Sequence, residues 1–312
     1  MHSPERDRER GGEQKAVADI VAHIQSFSNY LFGLRKSAGT IKQYVCDVRG
    51  WWEWWHKPYQ DFNLDAWDAW TSWQAEQGWA GKTIQMHQMG VRRFFRWLKR
   101  KKLFEGESPC ERENGAEGVE IAERYPDVLT QEEVEQMRRI PNRPKTKALF
   151  ACLYDLGLRN SEARKLPLSH VREDHVKVIG KKNRERKVPI VAPATREALE
   201  GWIAARPLGT EWLFPTAGGN PVGMESLCKL VAYWAKASKI NLDGRHITAH
   251  TLRHSIATHL VERGATIEYV QEYMGHKSIE TTRIYVHIAQ RLLRKVIERA
   301  HPLVSASPTP PP

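Results

Sequence analysis

His250-Thr251-Leu252-Arg253-His254 is the string from which the rest of this chain can be placed. His250 and Arg253 stand three residues apart, a spacing that puts both on one face of a helix carrying Leu252, Ile256 and Leu260 on its apolar side, with Gly264 to stop it. Alone, such a pair reads as a capping histidine and a salt-bridging arginine. Four other strings bear on it: Tyr154-Asp155-Leu156-Gly157-Leu158-Arg159-Asn160-Ser161-Glu162, Gly180-Lys181-Lys182-Asn183-Arg184-Glu185-Arg186, Met274-Gly275-His276, and Tyr285, nine residues beyond His276. Two arginines, Arg159 and Arg253, can clamp the non-bridging oxygens of a phosphate, His250 and His276 can hydrogen-bond the same group, and Lys181 can donate a proton. A tyrosine beside such a set becomes a nucleophile. Covalent catalysis of that kind splits one phosphoryl transfer into two steps and keeps the phosphate bond energy in a protein ester. The cations can then do the work of a metal.

In this order and spacing the strings resemble the phage integrase family of tyrosine recombinases, most closely its Xer branch. Thr281-Thr282-Arg283-Ile284-Tyr285-Val286-His287 and His301-Pro302 are similar as well, so the resemblance runs over residues 128–303 and continues more weakly before them. It implies that Arg159, His250, Arg253 and His276 hold a scissile DNA phosphate, that His250 also acts as acid/base, that Glu162 orients the site, that Tyr285 attacks, and that Lys181 protonates the departing 5′ oxygen from the minor groove. Lys182 stands where the family pattern has glycine, so two ammonium groups compete for that role. The implied activity is site-specific DNA strand exchange through a 3′-phosphotyrosyl intermediate and a Holliday junction, with neither metal nor ATP and no cofactor. The implied assembly is a homotetramer on two double-stranded recombination sites. A type IB topoisomerase, a telomere resolvase and a non-enzymatic architectural DNA-binding protein are the alternatives.

Composition agrees with an anionic polymer as partner. The chain has 312 residues, Lys plus Arg at 48 against Asp plus Glu at 37, a net charge of +11 and a pI near 9.5. That balance favours nucleic acid first and an anionic membrane surface second. No apolar run approaches a spanning helix and the first residues are charged, which points to a cytoplasmic, nucleoid-associated protein with no membrane partner. Cys46, Cys110, Cys152 and Cys228 show no paired spacing, so they read as reduced and mostly packed.

The expected fold is mainly α with a small β-hairpin, arranged as a two-domain clamp. Residues 1–15, rich in Arg, Glu and Gly, read as a disordered arm, too short for a separate arm-type DNA-binding domain. Residues 16–104 read as a helical core-binding (SAM-like) domain. Ile20, Ile24, Phe27, Leu31 and Leu34 mark one helix, Thr40 with Gln43 caps a second, a third starts at Asp65, and a fourth starts near Thr83. The fourth carries a basic run in which Arg92, Arg93, Arg96, Lys99 and Arg100 are the expected phosphate contacts. Trp51, Trp52, Trp54 and Trp55 cannot all point one way on a helix, so one pair should be exposed or covered by DNA or a neighbour.

Residues 105–127 hold eight acidic side chains and read as a linker, followed by a catalytic domain over 128–303 and a disordered tail over 304–312. Thr130 and Glu133 make a capping box. A helix over residues 145–156 ends at Gly157, which leaves Arg159 in a turn facing a cleft. Residues 176–179 and 187–190 read as strands joined by a basic tip, on which Lys182 and Arg184 are further DNA contacts. Tyr269 and Tyr273 read as packing residues, and residues 290–300 as a helix for docking on a neighbouring subunit.

Overall fold

The computed structural model describes residues 4–105, 107–111, 119, 127–180 and 185–275, with side chains from residue 19 onward. Lys181, Lys182, Arg184, His276, Tyr285, the expected docking helix and the expected tail lie outside the described residues, as does most of the expected linker. The chain divides into two compact units, Met1–Glu123 and Arg124–Pro312.

The first unit packs four helices, α1 (Pro4–Gly33), α2 (Ala38–Trp55), α3 (Leu64–Glu76) and α4 (Gly81–Arg100). Ile20, Ile24, Phe27 and Leu31 of α1 meet Val48 and Trp51 of α2 and Val91, Phe94, Phe95 and Leu98 of α4 in one aromatic-rich core. Several expectations are corrected here. The backbone of α1 is helical from Pro4, where a disordered arm over 1–15 was expected; proline suits a first helical position, whose N–H has no intrahelical partner anyway. The cap of α2 is Ser37, whose Oγ accepts the Thr40 N–H at 3.2 Å, so Thr40 is the capped residue and not the cap. Trp51 is fully buried, and Trp52, Trp54 and Trp55 are half-buried, so α2 has no exposed tryptophan pair. Phe62, from the short turn Tyr59–Asp61 and its cap, meets Trp55 edge-on at 5.0 Å, while Trp73 of α3 lies 6.3 Å from Trp54. The start of the expected linker also packs: Ser108 and Cys110 are buried on this unit, next to the buried Phe104 that precedes it. Cys152 is buried too, whereas Cys46 and Cys228 are exposed.

The second unit runs α5 (Gln131–Arg138), α6 (Pro144–Leu153), α7 (Asn160–Arg164), β1 (His175–Ile179), β2 (Glu185–Pro189), α8 (Pro193–Ala205), α9 (Met224–Ala237), α10 (Ala249–Glu262) and α11 (Ile267–Met274). The capping box at Thr130 is present, with Glu133 returning a bond to the Thr130 N–H. The strands pair antiparallel with Val178 opposite Arg186 and His175 opposite Pro189. Leu149, Phe150 and Leu153 of α6, Val176 and Val188 of the hairpin, Trp234 of α9 and Leu252 of α10 share one core.

Two devices fix α10, the helix carrying His250 and Arg253. His259 is 4 % exposed; its Nε2 donates to the Leu129 carbonyl at 2.9 Å, and its Nδ1 accepts the Tyr154 hydroxyl at 2.7 Å. Burial holds its pKa below the usual value, consistent with a neutral ring serving one donor and one acceptor. Gly157 is the second device. It turns at φ +55°, and a Cβ there would stand 2.8 Å from Met274 Cε on α11. An L-residue in this left-handed region costs about 1–2 kcal/mol, so Gly157→Ala should lower the urea midpoint by a corresponding amount with an unchanged slope, measured by circular dichroism.

Candidate functional site

Arg159 is the N-cap residue of α7, and Glu162 is its third helical residue. The Glu162 carboxylate therefore accepts the Arg159 backbone N–H at 2.9 Å through Oε2 and the Arg159 guanidinium at 2.8 Å through Oε1. A second arginine reaches the same carboxylate from the hairpin: Arg186 donates Nη1 to Oε1 at 2.9 Å and Nη2 to Oε2 at 2.8 Å. The third, Arg253 of α10, is 2 % exposed and stands 3.9 Å from Glu162 Oε2. Burial alone would raise the Glu162 pKa. The Arg186 hydrogen bonds and charge, followed by the two bonds from Arg159, outweigh it and bring the value down to about 2.

The same arginines also cap the C-terminus of α11. Arg186 Nε donates to the Tyr273 carbonyl at 3.1 Å, Arg253 Nη2 to the Met274 carbonyl, and Arg159 Nη2 to the Gly275 carbonyl at 2.9 Å. Carbonyls in a last helical turn have no partner within the helix, and that end of the dipole attracts cations. Arg253 Nη1 further donates to the Gly157 carbonyl. One carboxylate and one helix end thus gather guanidiniums from α7, β2 and α10.

The assembled group is cationic, since three arginines surround one carboxylate. Arg159 faces a cavity of about 780 Å³ whose wall also includes Glu162, Lys165, Lys177, Arg186 and Gly275. Gly180 and Gly275, the residues immediately before Lys181 and His276, both lie on this wall. His250 is exposed near the start of α10. Desolvation, then Arg253 and Arg159, push its pKa below the usual histidine value against the pull of Glu162. His254 is half-buried and, pressed by burial and by His250 and Arg253, falls to about 4, as suits a structural ring. Among the tyrosines, Tyr273 packs with its hydroxyl donating to the Asp155 carbonyl at 2.6 Å, whereas Tyr269 is 71 % exposed and does not pack as expected.

Arg186 is the site residue that the sequence reading missed, because it was assigned to the turn. The available signal was the period of two: Arg186 shares a strand face with the buried Val188, and an arginine on an inward face requires a buried anionic partner.

The basic run of α4 divides by environment. Arg92 lies over the Trp67 ring at 5.0 Å and Arg100 over Tyr30 at 4.1 Å. Arg96 is held by Glu111 in a two-point pair at 2.6 and 2.8 Å, so one acid of the expected linker already neutralises part of this face. Lys99 is exposed and Arg93 half-buried. Lys36, Arg92, Arg93 and Arg96 line a groove of about 380 Å³ together with Tyr44 and Met89.

Comparison with known proteins bears on both units. Residues 127–291 match the Phage integrase family, and residues 24–102 match the Phage integrase, N-terminal SAM-like domain. The chain is 35 % identical over 240 residues to tyrosine recombinase XerD of Halalkalibacterium halodurans, which covers 73 % of this chain and 78 % of the relative. It is 31 % identical over 236 residues to tyrosine recombinase XerC of Haemophilus influenzae, covering 73 % and 77 %. In fold it is similar to a lambda integrase dimer bound to a COC′ core site, with a TM-score of 0.70, 16 % identity and coverage of 86 % and 95 %. It is likewise similar to XerH site-specific recombinase bound to palindromic difH substrate, with a TM-score of 0.65, 21 % identity and coverage of 83 % and 79 %.

The depressed pKa of Glu162 has a consequence for stability. A carboxylate whose folded pKa is about 2, against an ordinary 4.5, stabilises the fold above pH 4.5 and loses that contribution as pH falls toward 2. Removing one partner of a buried ionic group costs about 3 kcal/mol, so Glu162→Gln should be less stable by that order at pH 7. In urea titrations at stepped pH, the gap between the two proteins should narrow between pH 4.5 and the acid limit of folding.

Proposed function

The chain belongs to the phage integrase family and is a site-specific tyrosine recombinase, and from that premise we propose that Arg159, Lys181, His250, Arg253, His276 and Tyr285 form its catalytic set. The single observation that carries the reading is the convergence of Arg159 and Arg253, from helices far apart in sequence, on adjacent carbonyls of the turn that leads into His276. A scissile phosphate in the adjoining cavity meets a net positive wall, since Arg159, Lys165, Lys177 and Arg186 line it against Glu162 and Glu185. Its non-bridging oxygens take N–H donors from the two arginines, and His250 and His276 complete the coordination. Electrostatic stabilisation of this preorganised kind favours the pentavalent transition state over the ground state.

His250 takes the phenolic proton of Tyr285 as that oxygen attacks phosphorus, the bond from phosphorus to the 5′ oxygen breaks, and Lys181 delivers a proton to the departing oxygen. A 3′-phosphotyrosyl ester and a free 5′ hydroxyl result. The 5′ hydroxyl of a partner duplex then attacks the ester as Lys181 takes its proton, His250 returns a proton to the departing Tyr285, and the strand is rejoined to the new partner. Two rounds pass through a Holliday junction, the first forming it and the second resolving it, without any external energy source. Glu162 supports the set by holding Arg159 and, at longer range, Arg253.

The substrate is double-stranded DNA with specific recombination sites, and the +11 charge supports this. Arg92, Arg93, Lys99 and Arg100 of α4 contact phosphates, as do Lys182 and Arg184 of the hairpin tip, while Arg96 must first exchange Glu111 for DNA. Four protomers act on two sites; a lambda integrase tetramer bound to a Holliday junction, similar in fold at a TM-score of 0.69, supports this assembly. No described helix is long and apolar enough to cross a membrane, in keeping with action on nucleoid DNA in the cytoplasm.

A substrate nicked next to the cleavage position tests the chemistry, because the released fragment diffuses away and traps the protein on DNA. A covalent complex should form with the native protein and be absent with Tyr285→Phe; complexes that persist in that variant would place the nucleophile elsewhere. Arg159→Ala and Arg253→Ala should each slow trapping by about 10² or more. For the first unit, Arg93→Ala should weaken binding evenly across DNA sequences and reduce the slope of log K against log salt by about 1, measured by fluorescence anisotropy.

A further inference from the structure

We infer that Arg186 is a positioning residue for leaving-group protonation, tethering the β1–β2 hairpin, and through it Lys181 in the segment that joins the two strands in sequence, to the arginine site. The inference rests on the reading above that a hairpin lysine protonates the 5′ oxygen.

The tether is visible in how completely this one side chain is used. Its two terminal nitrogens take the two oxygens of Glu162 in parallel, at 2.9 and 2.8 Å, and Nε takes the Tyr273 carbonyl at 3.1 Å. Its stem lies against Gly275, where an added Cβ would come within 3.0 Å of Arg186 Cδ. The side chain is 12 % exposed. A fork of this shape is specific to guanidinium, since a lysine ammonium in the same place is a point charge that cannot span both carboxylate oxygens and a third acceptor. Arg186 thus ties β2 to α7 and to the last turn of α11 at once.

Its loss would not be felt equally across the site. Arg159 keeps its capping-box bonds to Glu162 and its bond to Gly275, and Arg253 keeps its carbonyl partners Gly157 and Met274. The phosphate clamp therefore retains its own supports. At the level of Arg186 the hairpin is otherwise held by the buried Val178 opposite it, while the Lys177–Glu185 pair at 2.8 Å lies within the hairpin, so the polar contact that carries β2 to α7 and α11 is that of Arg186. The step that depends on the hairpin is proton delivery to the departing oxygen.

Sulfur substitution separates that step from the rest. A 5′-bridging phosphorothiolate at the scissile position releases a thiolate, which leaves without a proton. Covalent-complex formation should be timed on oxygen and sulfur versions of the nicked substrate for the native protein and for Arg186→Gln, Arg186→Lys and Lys181→Ala. General acid catalysis contributes about 10²–10⁴-fold, so a displaced acid should slow Arg186→Gln by about tenfold or more on oxygen while sulfur restores it to within about threefold of the native rate. Arg186→Lys keeps the charge but loses the fork, and should show the same rescue. Equal slowing on both substrates would overturn the inference, since Arg186 would then serve the clamp or the fold generally; so would native behaviour of Arg186→Lys on oxygen. If Arg186→Gln does not fold, the lysine variant carries the same comparison. Lys181→Ala reports separately on the underlying reading. Failure of sulfur to rescue it removes Lys181 as the acid, while the oxygen-to-sulfur ratio of the Arg186 variants still decides whether the tether serves protonation.

Discussion

A buried carboxylate can persist as an anion only where cations stand against it, and Glu162, with a side chain 6 % exposed, has three guanidiniums from three different elements within reach. That requirement organises the second unit. The carboxylate belongs to a helix of only five residues, too short to hold its place by its own backbone bonds, yet it brings β2 and the N-terminal end of α7 together and draws in α10. Well-packed apolar groups of similar volume often stabilise a fold as much as a buried ion pair does. What the ionic cluster adds is a defined arrangement with charge to spare: the arginines satisfy the acid and remain, as a group, positive toward a cavity.

The second constraint is a helix end. Tyr273, Met274 and Gly275 present successive carbonyls that α11 cannot satisfy internally, and each takes a different arginine. The cations are thereby aimed by backbone groups, which unlike side chains have no rotamers to lose. Gly275 permits the left-handed turn at φ +63°, and Gly157 permits the one that offers a carbonyl to Arg253. Two glycines and four carbonyls set where the positive charge lies, and the chain continues from that turn directly to His276.

In the first unit, electrostatics and aromatic packing are combined on α4. Phe94 and Phe95 go inward, while Arg92 and Arg100 stack on Trp67 and Tyr30 and so hold their charge at fixed places with little loss of side-chain entropy on binding. Glu111 occupies Arg96 in the absence of DNA, and its own pKa is held low by that hydrogen bond.

The amino-acid sequence by itself determined the identity of the chemistry and most of the helices. The strings around Arg159, His250, Arg253, His276 and Tyr285 are local, and so are the amphipathic periods of α1 and α4 and the capping box at Thr130; each can be read within a window of a few residues. The same reading stopped α6 at Leu156 where the helix ends at Leu153, took Thr40 for a cap that Ser37 provides, and passed over α8 and α9. Only the tertiary structure decided that Trp51 of α2 is buried and its other three tryptophans half-buried, that residues of the expected linker pack on the first unit, and that Arg186 joins Glu162. These depend on side chains and backbone carbonyls many residues apart meeting in space, where the cost of burying a charge or an indole is met by a partner that no local window contains.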